Sequence, residues 1–149
     1  MKRIIVLVSV VAVVGVIGVG AQDWQLQPTY GDTELAAGFQ PDPFEQDVVA
    51  GGSMDLAELG YYGYVAEAPD FDLRYTSGEY QLTIKVENTD ADTLLLVNGP
   101  DGQWHFNDDR SGLDPAITFS PPQDGLYDIW IGTLNGEYAE ATLVITERD

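Results

Sequence analysis

Tyr80-Gln-Leu-Thr-Ile-Lys-Val-Glu-Asn88 alternates apolar and polar residues without a break. Tyr80, Leu82, Ile84 and Val86 fall on one face and Gln81, Thr83, Lys85 and Glu87 on the other, which is the period of a half-buried strand. Immediately downstream, residues 93–98 form a continuous apolar run. Gly99-Pro100-Asp101-Gly102 then predicts a tight turn, with residues 103–107 returning as the second arm of a hairpin. Further strands are expected at residues 116–120, 126–133 and 139–146, separated by Pro121-Pro122-Gln123-Asp124-Gly125 and by Asn135-Gly136. Upstream, residues 33–37, 44–50, 61–66 and 71–75 are weaker strand candidates. No segment after residue 21 sustains a helical period over ten residues, so the expected fold is all-β, an antiparallel β-sandwich or jelly-roll.

The first 21 residues are of another kind. Lys2 and Arg3 precede an unbroken apolar run that ends at Ala21, with Val19 and Ala21 as small residues three and one before a cleavage point. This reads as a secretion signal, and Gln22 would begin the mature chain. The alternative is an uncleaved anchor, since eighteen apolar residues at about 1.5 Å each nearly cross a bilayer core of roughly 30 Å. The remaining residues, 22–149, are expected to form one domain that is secreted or periplasmic. No cysteine is present, so neither a lipid-modified cysteine nor a disulfide can hold this domain.

The chain carries 6 Lys+Arg against 25 Asp+Glu, a net charge of −19. Loss of Lys2 and Arg3 with the signal leaves 4 bases against 25 acids, or −21. Such a charge argues against nucleic acid or anionic lipid as a partner. It suits bound cations, adaptation to high salt, or simply a solvated surface.

Catalytic chemistry has little to draw on. His105 is the only histidine, placed by alternation opposite Trp104 and Phe106 and expected to face solvent. There is no cysteine nucleophile and no Gly-x-Ser-x-Gly elbow, so a secreted hydrolase is a remote reading and no catalytic residue is assigned. Metal binding has more to recommend it. Residues 107–114 place oxygen ligands at alternate positions ahead of a glycine, a partial echo of calcium loops. Asp90 and Asp92 form a second acidic group that the hairpin could bring to the same end. Asp90, Asp92, Asn107, Asp108, Asp109 and Asp114 are therefore the candidate ligands, and hard oxygen donors would select Ca2+. Turn capping by solvated Asp and Asn explains the same residues without a ligand. A third reading uses Trp24, Tyr61, Tyr62, Tyr64, Trp104 and Trp130 as a platform for sugar rings or an extended peptide, although core packing would account for most of them. Of these, Trp130, opposite Tyr127, Ile129 and Ile131 in its strand, is the one expected to be exposed or to pack across an edge.

Several segments resemble pre-peptidase C-terminal domains, β-sandwich modules found beside secreted proteases. They are Pro28-Thr-Tyr-Gly31, Gly38-Phe-Gln-Pro-Asp-Pro43, Gly51-Gly52, Gly63-Tyr64 and Ala68-Pro-Asp70 in the first half. Asp92-Thr-Leu-Leu-Leu-Val-Asn-Gly-Pro-Asp-Gly-Gln-Trp104, Asn107-Asp-Asp109, Asp114-Pro115 and Gly125-Leu-Tyr-Asp-Ile-Trp-Ile-Gly-Thr133 carry the likeness through the second. The resemblance implies a non-enzymatic sandwich, associated in some relatives with calcium, protein substrates or protease maturation; the expected role is an exported binding or accessory domain whose partner is a protein, peptide or polysaccharide outside the cytoplasm. A peptidase label on such a chain would be inherited from neighbouring catalytic domains. The resemblance also implies cysteines where this chain has Tyr61 and Phe106. An aromatic contact is then expected in place of a crosslink, exchanging about 2–4 kcal/mol of chain restriction for packing worth about 0.5–1.5 kcal/mol beyond burial.

Overall fold

The computed structural model describes residues 22–148; the expected signal segment lies outside them. The strands are β1 (Asp32–Ala36), β2 (Phe44–Ala50), β3 (Met54–Asp55), β4 (Tyr64–Val65), β5 (Phe71–Thr76), β6 (Leu82–Glu87), β7 (Thr93–Asn98), β8 (Trp104–Asn107), β9 (Ala116–Phe119), β10 (Gly125–Thr133) and β11 (Ala139–Thr146). They form two packed sheets, as the period-two patterning requires. In the seven-stranded sheet, β10 is central. It pairs with β5 and β4 along one edge and with β7 along the other, while β1 lies outside β5, β3 outside β4 and β8 outside β7. The four-stranded sheet runs β2-β11-β6-β9.

Inner faces of both sheets build the main core. Phe71, Leu73, Tyr75, Leu95, Val97, Tyr127, Ile129 and Ile131 from the larger sheet meet Val48, Leu82, Ile84, Val86, Leu143 and Ile145 from the smaller. A second, smaller core lies on the outer face of the seven-stranded sheet. There Leu94, Leu96, Val65 and Trp130 are covered by Leu56 of a short 3-10 turn, Leu56–Leu59. This second core explains why β7 is apolar at every central position. Its Leu95 and Val97 point into the sandwich while Leu94 and Leu96 point the other way, and all are buried.

Three expectations need correcting. The segment expected as one strand over residues 61–66 pairs only at Tyr64–Val65, because the chain before it turns in the 3-10 element to cover the outer face. Tyr80 does not continue the buried row of β6; it lies outside the strand and is exposed. The sheets are also not wholly antiparallel, since β1 runs parallel to β5, with Asp32 opposite Asp72 and Leu35 opposite Tyr75.

Candidate functional site

The outer face of the seven-stranded sheet gathers all three tryptophans together with Tyr61, Tyr62 and Phe106. Trp130 on β10 is fully buried, not exposed as alternation alone suggested, because the 3-10 turn and Trp104 lie over it. Its ring centroid is 5.4 Å from that of Trp104, which is 6.3 Å from Trp24 in an edge-on contact. Beside this row, Tyr61 stacks on Phe106 at 4.8 Å with the planes 8° apart, and Tyr62 meets the same Phe106 edge-on at 5.2 Å. The expected Tyr61–Phe106 contact is thus present, with the two rings face to face. The Tyr61 hydroxyl donates to the Trp104 carbonyl at 3.3 Å, joining the two groups. Trp24, at 51% exposure, and Tyr62, at 56%, form the open surface of this assembly. Tyr64 stands apart, packed near the β10–β11 turn at Gly136.

Trp24 belongs to the N-terminal segment, residues 22–30, which crosses the same face. The Asp23 and Thr29 amides donate to the Glu67 and Pro69 carbonyls at 3.0 and 2.9 Å. The Trp130 indole donates to that same Glu67 carbonyl at 3.4 Å.

The hairpin brings the two acidic segments to one end of the sheet, since Leu95 lies opposite Asn107. There they serve several different partners. Asp108 accepts the Tyr62 hydroxyl at 2.8 Å, and this bond, with the nearby charges of Asp108, Asp109 and Asp92, raises the phenol above its ordinary value. Asn107 accepts the Ala116 amide at 2.9 Å. The carbonyl of Asp114 closes a tight turn by accepting the Arg110 and Ser111 amides at 3.0 and 3.2 Å. Asp90 and Asp92 line an open cleft of about 650 Å³ together with Glu137 and Glu140. Among the described residues, no three His, Cys, Asp or Glu side chains are placed to share a metal ion.

His105 meets Phe119 edge-on at 4.9 Å and is half-buried, so it does not stand free in solvent.

Sequence reasoning missed a pair of acids on the outer face. β5 and β10 pair with Asp72 opposite Asp128, and the row continues to Asp32 on β1, Asn98 on β7 and Trp104 on β8. Asp128 is 3% exposed and hydrogen-bonded to Asp72. Burial first, then the Asp72 charge, pushes its carboxyl up to about 7; burial also raises Asp72. Oδ1 of each is buried and accepts no hydrogen bond. The alternation of each strand was legible, but the register that sets one acid against the other was not.

No family model and no curated protein matches this chain. A solved structure it is similar to is PliG of Aeromonas hydrophila, a periplasmic lysozyme inhibitor of g-type lysozyme. The likeness has a TM-score of 0.37 and 16% identity, and covers 78% of this chain and 96% of that one.

Proposed function

We propose that this protein is an exported, non-catalytic binding domain that docks a partner protein on the outer aromatic face of its seven-stranded sheet. Export rests on the basic and then apolar character of residues 1–21. The observation that carries the binding reading is the open pair Trp24 and Tyr62, each more than half exposed on a bed of buried or half-buried rings. Large rigid rings with a polar tip supply contact area at low entropic cost, and their neighbours already exclude water. The acids beside Tyr62 and a net charge of −19 favour a partner with a basic surface.

Calcium is the weaker reading, because the Asp108 and Asn107 side chains already accept from Tyr62 and Ala116, and among the described residues no three acids are placed to share an ion. A sugar ligand would use the same rings, and one experiment separates it from a protein. A photo-crosslinking residue replaces Tyr62 in the producing cell, and another replaces Glu45 on the opposite sheet. The expected result is one protein adduct at position 62, lost on Trp24→Ala and absent at position 45. Equal labelling at both positions, or a carbohydrate adduct alone, overturns the proposal.

A further inference from the structure

We infer that the Asp72 and Asp128 pair is a proton-dependent latch that holds the N-terminal segment on the outer sheet face and so keeps Trp24 within the aromatic surface. The inference rests on that surface being the binding face, and it names how the face is regulated.

Four observations converge on it. Asp128 points away from the sandwich core, yet it is 3% exposed, so something on the outer face covers it. The N-terminal segment crosses that face: Gln27 and Pro28 line a narrow cleft with Asp32, Asp72 and Arg74, and Trp24 rests on Trp104. The row Asp72, Asp128, Asn98, Trp104 runs across paired strands directly from the acids to the ring that Trp24 touches. Finally, Oδ1 of each acid is enclosed without a donor. A buried carboxylate in that position is tolerated only while the pair retains a proton.

The charges facing the pair do not relieve it. β5 supplies Arg74, whose charge favours ionised Asp72, but Arg74 also lies 3.6 Å from Glu34. β1 supplies Asp32, a further negative charge beside Asp72. The row continues through uncharged Asn98 on β7 and Trp104 on β8, and Gln27 of the N-terminal segment is also uncharged. With the proton present, Asp128 donates to ionised Asp72 and the segment packs down. Once it is lost, two adjacent carboxylates and their enclosed oxygens require water, which enters only if the segment lifts.

The three tryptophans of the chain, Trp24, Trp104 and Trp130, lie in one contact row and report this directly. A titration of intrinsic fluorescence from pH 5 to 9, without any partner, should show a transition near pH 7. Loss of amide protection at Asp23 and Thr29 should accompany it. Asp128→Asn keeps a donor toward Asp72 and cannot ionise, so its fluorescence should be flat over this range. Asp70→Asn removes the other carboxyl that burial raises to about 7, and it should retain the transition. A flat wild-type profile, or a transition that survives in Asp128→Asn, overturns the latch. Should Asp128→Asn not fold, carboxyl carbon NMR of the wild type decides. The Asp128 resonance must titrate together with the Trp24 indole, and titration in the ordinary carboxylate range overturns the inference. Because no partner is present, failure of the latch is distinct from failure of the crosslinking test at Tyr62.

Discussion

Two carboxyls in this protein work against its overall acidity. Asp70 is buried, and Oδ2 accepts the Ile131 amide at 2.7 Å; burial nonetheless pushes it up to about 7, as it does Asp128. The sign of the consequence follows from proton counting. Between pH 4 and 7 the folded state holds protons that the unfolded chain has released, so stability falls as pH rises and levels off above about 7. With each group moved from 3.8 to about 7, the loss by pH 8 is up to about 4 kcal/mol per group. Chemical denaturation at pH 5 and pH 8 should therefore show greater stability at pH 5. Asp128→Asn should remove about half of that difference, and a wild type more stable at pH 8 would refute the assignment. Little of this was legible beforehand. Asp128 was readable as sharing a face with Trp130, but only the fold shows that this face is covered.

At the scale of elements, β10 was readable almost to the residue, because Gly125-Leu-Tyr-Asp-Ile-Trp-Ile-Gly-Thr133 alternates and is bounded by turn residues. What surrounds it was not. The parallel pairing of β1 with β5 and the 3-10 turn over the outer face depend on contacts distant in sequence. Gly132 marks where this matters. A Cβ there would lie 2.2 Å from the Tyr64 carbonyl and 2.8 Å from Leu94, so β4 could not seat against β10. Gly132→Ala should cost about 1–3 kcal/mol, as overpacking does. It should also expose the Tyr61 and Phe106 stack that β4 and its preceding turn hold in place. Urea denaturation with near-ultraviolet circular dichroism checks both; an unchanged midpoint would show that β4 is not held where this glycine places it.

Over the whole molecule, charge is the dominant unbalanced quantity. Arg74, Lys85 and Arg148 each pair with an acid, Glu34, Glu87 and Asp42, and Arg110 donates to Thr118. Twenty-five acids against six bases in the full chain leave most carboxylates without a cation. Like charges on a domain of this size repel over about 10 Å in 0.1 M salt and farther in dilute buffer. Screening should therefore stabilise the fold whatever the identity of the ion. Raising NaCl from about 10 mM, where the screening length is about 30 Å, to 1 M, where it is about 3 Å, should raise the melting temperature by several degrees. Of the residues read from sequence as calcium ligands, Asp108 bonds Tyr62, Asn107 bonds Ala116, the Asp114 backbone closes a turn, and Asp90 and Asp92 line an open cleft. Calcium chloride at matched ionic strength should then raise the melting temperature no further than sodium chloride does. A rise at micromolar to millimolar Ca2+, absent with Na+ at the same ionic strength, would instead show that these acids rearrange around an ion, since a bound ion stabilises the fold as the logarithm of its concentration over its dissociation constant, at concentrations too low to alter screening.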